Sequence, residues 1–384
     1  MKILIVSKIA THPMDAGNKH AILAQAKILK DKGNDVHFLY VYEKPLDRNK
    51  IKAYEEDLKQ TREFWKDKFH VYQVNLAIKI YLASLKQIRE HLCHRHFKVD
   101  DQYPFGLGNY VNRLNDEYHF DACIINYFYL SRLFNKINIP KKAIYTHDCM
   151  AYKDIKFGMP YFCTDANTEA KAMQRCPHIF AIQGIEADYF QMLSPKSTVY
   201  TVYDVFSYHK QMITGNHNIV YLSGSNVFNQ NGLRWFLDNI YPAIQEKFSD
   251  VKLIVGGSVC KVMPELKSID GVESQGYIDD VNAFYSQGDV CINPCYQGTG
   301  LKIKTIESIS YDKVTMVHPH STQGIYDKDH APLFSSDKAE DWVKFLVEVW
   351  ESQDIIKTIK SENEKYLTAM EKFVSSEYDR FLKA

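Results

Sequence analysis

The chain has 384 residues, of which 45% are hydrophobic and 24% charged, so it is long enough for two globular domains. Lys and Arg together number 47, as do Asp and Glu, and the resulting net charge of zero argues against a general nucleic-acid binder. The 8 cysteines form no dense framework, and no apolar run approaches the roughly 18 residues of a membrane span, so we expect reduced thiols in a cytoplasmic protein.

The N-terminal half alternates short apolar runs with helical patterns, which is typical of a parallel sheet covered by helices. Strands are predicted at 2–7, 36–42, 122–127, 143–146, 178–182 and 199–203. The first βα turn contains Gly17 but lacks the three spaced glycines of a dinucleotide fingerprint, which disfavours a nicotinamide or flavin role. His147 directly follows the strand 143–146, and functional residues of open parallel sheets gather at the carboxyl ends of strands.

A polar, helix-rich segment from about 44 to 117 interrupts this alternation. Within it, residues 78–92 carry a helical apolar stripe flanked by basic residues between 79 and 98. An amphipathic helix packed on its own domain is one interpretation. The alternatives are contact with an anionic membrane surface and a cover over an acceptor cleft.

The C-terminal half repeats the alternation after a polar linker predicted at 207–217. Strands are predicted at 219–222, 251–255, around 272, at 290–293 and at 314–317, with helices at 233–248 and 281–286. Two consecutive α/β domains joined by a linker predict a cleft between two sheets.

The stretch 297–307 carries the strongest functional signal in the chain, because a glycine-rich turn there follows a buried strand and opens a helix. Gly298 and Gly300 allow close approach of a ligand, and Thr299 is predicted to cap the helix. The helix N-terminus favours an anion, and Lys304 and Glu307 fall on one face with Gly300, whereas Ile303 and Ile306 face the sheet.

Several segments, taken in order, resemble the retaining glycosyltransferases of the GT-B fold, specifically glycosyltransferase family 4. The matching segments are 220–225 with 231–233, 253–257, 276–280, 298–304 with Glu307, the turn at Gly17, and 146–148. The resemblance covers nearly the whole chain and is strongest from 219 to about 325. It implies an α/β chain with two Rossmann-like domains facing each other across a deep cleft.

The resemblance also implies a role for each matching residue. Glu307 would bind ribose or sugar hydroxyls, Lys304 would hold the donor diphosphate, and His147 would lie near the reacting sugar. The remaining donor-binding residues implied are Gly17, Gly224, Ser225, Tyr277, Gln297, Gly298, Thr299, Gly300, Leu301 and Lys302. No cofactor and no divalent metal is expected, because cations and helix dipoles would take the metal's place.

The pattern of elements and the resemblance together predict the domain bounds. We expect an acceptor-binding domain at 1–206, a nucleotide-sugar-binding domain at 207–362 and a C-terminal helix at 363–384 that returns to the first domain. The function implied is transfer of a hexose from a nucleotide-diphosphate sugar to a glycan or lipid-linked acceptor in cell-envelope polysaccharide synthesis. We expect a cytoplasmic protein, with peripheral contact to the inner face of the membrane through the basic helix near 79–98.

The sequence departs from the family pattern at two places. The first of two family glutamates, seven residues before the second, has no counterpart, and Ser225 and about Asn231 replace the cations of the first C-terminal loop. Lys302 and Lys304 are expected to compensate for the lost charge. A non-catalytic partner subunit and a sugar-nucleotide epimerase of the same fold remain alternatives.

Overall fold

The computed structural model describes residues 1–14, 16–45, 47–88, 91, 99–152, 164–298 and 300–384. The chain divides into two compact units. Unit 1 comprises Met1–Asp204 together with Ser375–Ala384, and unit 2 comprises Val205–Val374.

Unit 1 is built on a seven-stranded sheet in the order β3-β2-β1-β4-β5-β6-β7, and its paired strands are all parallel. The strands are β1 Lys2–Ser7, β2 Asp35–Tyr42, β3 Phe69–Gln73, β4 Ala122–Asn126, β5 Lys141–Tyr145, β6 His178–Ala181 and β7 Thr198–Thr201. Helices cover a parallel sheet on both faces, which is why β4 is buried along its whole length.

The described helices of unit 1 surround this sheet. The α-helices are α1 Gly17–Asp31, α2 Arg48–Trp65, α3 Leu76–Gln87, α4 Leu107–Tyr118, α5 Ala166–Met173 and α6 Gly184–Leu193. Short 3-10 helices lie at Lys66–Lys68, Val99–Gln102 and Phe128–Asn135. Among the described helices of the whole chain, none is both long and apolar enough to span a lipid bilayer.

The sequence predicts a helix-rich segment at about 44–117. In the structure this segment also contains a strand, β3. This strand pairs with β2 at the edge of the sheet, where one side is open, and its mixed sequence Phe-His-Val-Tyr-Gln lacks the continuous apolar run of a central strand. In α3, Ile78 packs on the core of unit 1, whereas Ile80 and Ile88 are exposed. Residues 92–98 and the side chains of Lys86 and Arg89 lie outside the described part.

Unit 2 is built on a six-stranded parallel sheet in the order β10-β9-β8-β11-β12-β13. The strands are β8 Asn218–Leu222, β9 Lys252–Gly256, β10 Val272–Gly276, β11 Val290–Asn293, β12 Val314–Val317 and β13 Leu333–Ser335. The α-helices are α7 Val227–Asn239, α8 Tyr241–Lys247, α9 Val259–Val262, α10 Val281–Tyr285, α11 Ile303–Ser310, α12 Ala339–Glu351 and α13 Gln353–Lys383. The 3-10 helices are Pro264–Ser268, Pro319–Thr322 and Lys328–His330.

Two helical predictions in this region need correction. The helix expected at 233–248 is in fact two helices, α7 and α8. Pro242 lies in the first turn of α8, where a backbone amide has no hydrogen-bond partner within the helix, so a proline is tolerated there. The last helix, α13, begins at Gln353 rather than at 363, and its residues from Ser375 belong to unit 1. There the Tyr378 ring stacks 5.2 Å from Phe180.

The predicted linker at 207–217 is an ordered part of unit 2. The ring of His209 stacks on Tyr311 at 4.6 Å, and the carboxylate of Asp289 accepts hydrogen bonds from the backbone of Thr214 and Gly215. Asp289 is fully buried, so these amides satisfy a carboxylate that would otherwise be costly to bury. The polar composition of 207–217 predicts a linker. In the structure, polar groups of this segment instead bond to the buried Asp289 of unit 2.

Both units have the Rossmann-like α/β organisation predicted from the sequence. Strand order reverses between β1 and β4 in unit 1 and between β8 and β11 in unit 2. Ligands of open parallel sheets bind beside the carboxyl ends of the strands at such switch points. Each unit therefore has one place where a site is expected.

Candidate functional site

The switch point of unit 2 brings two of the predicted segments together. Because β8 pairs with β11, the turn with Gly224 and Ser225 lies next to the turn that begins at Gln297. Gly224 and Ser225 are exposed, and Gln297 is half-buried. These three residues therefore share one edge of the sheet.

Asn229, in the first turn of α7, ties these two turns together. Its Nδ2 donates to the carbonyl of Gly224 at 2.9 Å, and its Oδ1 accepts from Lys304 Nζ at 2.7 Å and from Cys295 Sγ at 3.4 Å. Asn226 caps α7 by accepting from the Asn229 amide at 2.9 Å, which fixes the start of the helix. Sequence reasoning missed Asn229, although it lies between the two segments that carried the resemblance.

The glycine at position 232 has a steric reason. A Cβ there would lie 2.8 Å from the Cα of Cys295, so only glycine lets α7 approach the segment after β11 this closely. The close approach places Asn229 within reach of Lys304. This backbone contact supports the polar link across the switch point.

The turn after β11 has its own internal geometry. Gly298 and Gly300 both have positive φ, at 124° and 73°, a conformation that favours glycine. A ring nitrogen of His320 lies 3.0 Å from the Gly298 carbonyl, and Lys302 Nζ lies 4.0 Å from where a Cβ on Gly298 would be. The ammonium groups of Lys302 and Lys304 thus both belong to this edge, beside the half-buried Leu301.

The prediction that Thr299 caps the following helix needs correction. The helix α11 begins only at Ile303, its cap position is Lys302, and no side chain of the cap bonds to it. The reason is the positive φ of Gly300, which lies outside the right-handed helical region. Thr299 itself lies outside the described residues. Ile303, expected to face the sheet, is 36% exposed, whereas Ile306 is fully buried.

Lys304 and Glu307 reach different neighbours, although one helical face was predicted for both. Lys304 faces Asn229 in α7, whereas the Glu307 carboxylate accepts a hydrogen bond from the hydroxyl of Tyr285 in α10. Burial raises the pKa of Tyr285 well above its usual value, and the charge of Glu307 raises it further. The ring of Tyr311 stacks on that of Tyr285 with the centroids 4.4 Å apart.

Tyr277 lies immediately after β10 and is 82% exposed. It is on the same edge of the sheet as Gly224, but β9 separates β10 from β8. Two strand spacings of about 4.8 Å each put it roughly 10 Å along the edge from the switch point. An exposed aromatic ring at this edge of the sheet can stack on a flat ring of a ligand.

The switch point of unit 1 contains a cavity of about 550 Å³. It lies at the carboxyl ends of β1, β4 and β5, which deliver Lys8, Tyr127 and His147 to its lining. Asn18, in the first turn of α1, also lines it, next to the exposed Gly17. The structure thus places Gly17 in unit 1, whereas the other described donor-binding candidates belong to unit 2.

His147 is a neutral imidazole in this cavity. Burial lowers the pKa of His147 to about 3. Its Nε2 lies 2.8 Å from the Oδ1 of the buried Asn126, and because an amide oxygen only accepts, Nε2 carries the proton. The other ring nitrogen, Nδ1, is therefore an acceptor. His147 is placed to accept a hydrogen bond from a ligand rather than to act as a cation.

A buried carboxylate holds the segment that follows His147. Glu169 in α5 is fully buried and accepts from the backbone amides of Met150 at 3.0 Å and Ala151 at 3.4 Å, and from the hydroxyl of Tyr189 at 2.7 Å. Burial raises the pKa of Glu169 to about 7 despite these three donors. Sequence reasoning missed this residue, since an isolated glutamate in a predicted helix gives no signal.

Comparison with known proteins shows what the chain is similar to. Residues 216–352 match the family model of glycosyl transferases group 1. A Klebsiella pneumoniae protein, named an uncharacterized 44.6 kDa protein in the cps region, is 23% identical over 342 residues, which is 80% of each chain.

Similar solved structures cover the chain almost completely. Anabaena HepE in complex with UDP has a TM-score of 0.68 at 12% identity and full coverage of both chains. TarM has a TM-score of 0.67 at 10% identity, with 99% of this chain and 98% of TarM covered. The lipopolysaccharide outer core galactosyltransferase WaaB has a TM-score of 0.60 at 10% identity, with 100% of this chain and 99% of WaaB covered. Residues 216–352 thus match the family model of glycosyl transferases group 1, and the chain has the GT-B fold of these solved structures.

Proposed function

We propose that this protein is a metal-independent, retaining glycosyltransferase that moves a hexose from a nucleotide-diphosphate sugar to a glycan or lipid-linked acceptor in cell-envelope polysaccharide synthesis. The observation that carries the proposal is the cation Lys304, held by Asn229 between two turns at the switch point of unit 2. This site lies within the segment that matches the glycosyltransferase family. The UDP complex of HepE supports a nucleotide donor, and the Klebsiella protein of the cps region supports a polysaccharide context.

The donor diphosphate would bind at the turn 297–302. Lys304 contacts a neutral amide oxygen, and none of the described carboxylates forms an ion pair with it, so its charge is available to a phosphate. Lys302 would add a second charge from beside Gly298. Two ammonium groups and the backbone amides of the turn offer the charge that a metal supplies elsewhere. We therefore expect activity to persist in EDTA.

The transfer step follows from the charges at the donor. The bond between the anomeric carbon and the leaving phosphate oxygen breaks, and its electron pair stays on that oxygen. The acceptor hydroxyl oxygen bonds to the same face of the anomeric carbon, and its proton passes to the leaving phosphate. Lys304 and Lys302 stabilise the growing negative charge more than the ground state, which lowers the barrier. Glu307 would hold donor hydroxyls, and His147 would contact the sugar at the acceptor side.

The test is incubation of the protein with a panel of nucleotide sugars and simple acceptor glycosides, followed by NMR. The proposal expects release of the nucleotide diphosphate and a product with the anomeric configuration of the donor, and loss of both in Lys304→Ala. An inverted product contradicts the retaining mechanism. Conversion of the donor sugar without release indicates an epimerase, and absence of nucleotide-sugar binding indicates a non-catalytic subunit.

We also propose that the protein acts in the cytoplasm and binds peripherally to the inner face of the membrane through α3. Leu76, Ile80, Tyr81 and Ile88 of this region are exposed apolar side chains, which suits shallow insertion beside basic residues. Co-sedimentation with phosphatidylglycerol vesicles should fall in Ile80→Glu and in the double variant Lys86→Ala, Arg89→Ala. Met212→Glu, an exposed site of unit 2, serves as the control. Equal binding by all variants contradicts this placement.

A further inference from the structure

We propose that the cavity of unit 1 binds an uncharged, hydroxyl-rich sugar ring, and that Asn18, Tyr127 and His147 select it against anionic sugars. The inference rests on the proposed function, since it names the chemical class of the acceptor group. It is carried by three properties of the cavity: its charge balance, its aromatic lining and its hydrogen-bond acceptors.

The charged side chains of the cavity leave no excess positive charge for an anion. Lys8 forms an ion pair with Glu43 at 3.3 Å, and Lys79 donates to the backbone carbonyl of Lys44. Asp148 adds a second carboxylate to the lining, and His147 is neutral. Among the described residues of the lining, two ammonium groups and two carboxylates give a net charge of zero. A carboxylate or phosphate on the ligand would lose its water without gaining a lining of net positive charge.

Aromatic rings provide the apolar part of the lining. Tyr127 stacks on Tyr129 with ring centroids 5.2 Å apart and on His147 at 4.4 Å. Tyr40 and the exposed Tyr54 line the cavity from β2 and α2. The C–H faces of a sugar ring pack well against such rings, while its hydroxyls require polar partners.

Tyr127 holds an unusual backbone conformation at this place. Its φ is +63°, which is rare for a residue other than glycine and strains the backbone. The amide of Tyr127 still bonds to the carbonyl of Tyr145 at 2.9 Å, so the strand end is intact while the ring is turned toward the cavity lining. The unusual backbone conformation of Tyr127 therefore places its ring at the cavity.

Two polar groups of the cavity are acceptors that a ligand can satisfy with hydrogen-bond donors. His147 uses Nε2 on Asn126, which leaves Nδ1 as an acceptor. Asn18 donates through Nδ2 to the Tyr127 hydroxyl at 3.2 Å, and its Oδ1 is buried without a partner among the described residues. Sugar hydroxyls supply O–H donors to such acceptors, whereas an ionised carboxylate or phosphate offers only more lone pairs. This difference is the basis of the selection.

The experiment uses a matched pair of ligands, methyl glucoside and methyl glucuronide, which differ only in a CH₂OH group against a carboxylate. Binding at millimolar concentration is followed by saturation-transfer NMR, and UDP binding is measured separately by calorimetry. We expect the glucoside to bind at least about ten-fold more tightly than the glucuronide, as one charged contact left unpaired is worth that much. Tyr127→Ala and Asn18→Ala should each abolish glucoside binding while UDP still binds, and Met192→Ala, an exposed site of unit 1, should match the wild type.

Each alternative outcome separates the inference from the proposed function. Equal or tighter binding of the glucuronide overturns the inference, as does UDP binding with no glycoside binding. Glucoside binding that Tyr127→Ala and Asn18→Ala both leave unchanged also overturns it, because the sugar would then bind elsewhere. Glucoside binding that depends on these residues in a protein that binds no nucleotide supports the inference and removes the proposed function.

Discussion

Lys304 donates a 2.7 Å hydrogen bond to Asn229, and this bond joins two helices that follow the two strands at the switch point of unit 2. The two residues are 75 positions apart in the chain. The bond fixes a flexible ammonium group at the edge of the sheet without neutralising it. A diphosphate site benefits from a charge whose position is already fixed, because the ammonium group then needs no reorganisation when the ligand binds.

The first prediction concerns this bond. Replacing Lys304 with Ala should weaken UDP binding by about 10- to 100-fold, since hydrogen bonds to charged groups contribute about 1.5–3 kcal/mol. Asn229→Ala should weaken it less, because the charge remains but loses its fixed position. Calorimetric titration with UDP measures both, and Lys267→Ala, an exposed lysine of the same unit, is the matched control. Unchanged affinity in Lys304→Ala would remove this residue from the site.

The second prediction separates the two partners of the hydrogen bond between Glu307 and Tyr285. Glu307→Gln should weaken donor binding by about ten-fold through the loss of a charged acceptor. Tyr285→Phe should leave donor affinity within about two-fold but lower the free energy of unfolding by about 1 kcal/mol, because the Glu307 carboxylate loses the hydroxyl that donates to it. Titration of UDP and urea denaturation of both variants give the comparison. Equal loss of affinity in the two variants would mean that Glu307 acts only through the fold.

The third prediction concerns the protonation of His147. Because burial lowers its pKa to about 3, the ring should stay neutral from pH 8 down to pH 5. Unfolding raises the pKa toward 6.5, so the stability that the neutral ring contributes is present above pH 6.5 and is lost as pH falls toward 3. Histidine ring NMR shifts should therefore titrate for His330, whose pKa Asp327 raises, but not for His147. A His147 midpoint near 6.5 would refute the acceptor role of Nδ1.

The fourth prediction concerns Glu169. Its pKa of about 7 in the folded protein lies above the ordinary value of 4.5, so its contribution to stability is full below pH 4.5 and is lost as pH rises through 7. Relative to Glu169→Gln, the wild type should lose about 3 kcal/mol of unfolding free energy over this range, at about 1.4 kcal/mol for each unit of pKa shift. Urea denaturation of both proteins at pH 4.5, 6 and 8 measures the difference.

The comparison with the Gln variant isolates Glu169 because every other ionisable side chain, including Tyr189 that donates to it, is the same in both proteins. A constant difference between the two proteins across pH 4.5–8 would show that Glu169 keeps its ordinary pKa. The segment Met150–Ala151 would then be held by a permanently ionised carboxylate.

Much of the fold could be predicted because central parallel strands are buried on both faces and read as continuous apolar runs, as in Lys2–Ser7 and Val290–Asn293. The edge strands β3 and β13 were missed for the converse reason. Phe69–Gln73 has a mixed sequence, and Leu333–Ser335 has only three residues. A short edge strand is identified by its partner, which local periodicity does not describe.

The candidate sites were predictable to different degrees. The glycine turn before Lys304 could be identified because positive φ and close approach impose glycine. Asn229 and Tyr127 could not, since their roles depend on contacts made 75 and 109 residues away, with Lys304 and Asn18. The start of α11 was misplaced because Gly300 was treated as a helical residue, whereas its φ of 73° excludes it from the helix.

The most direct test of the donor site is hydrogen exchange of the intact protein with and without UDP. We expect slower exchange in peptides that span 222–229 and 297–307, with little change in peptides around His147. Lys304→Ala should remove this protection. Protection confined to other segments, or none at UDP concentrations that saturate a millimolar site, would contradict a nucleotide site at the switch point of unit 2.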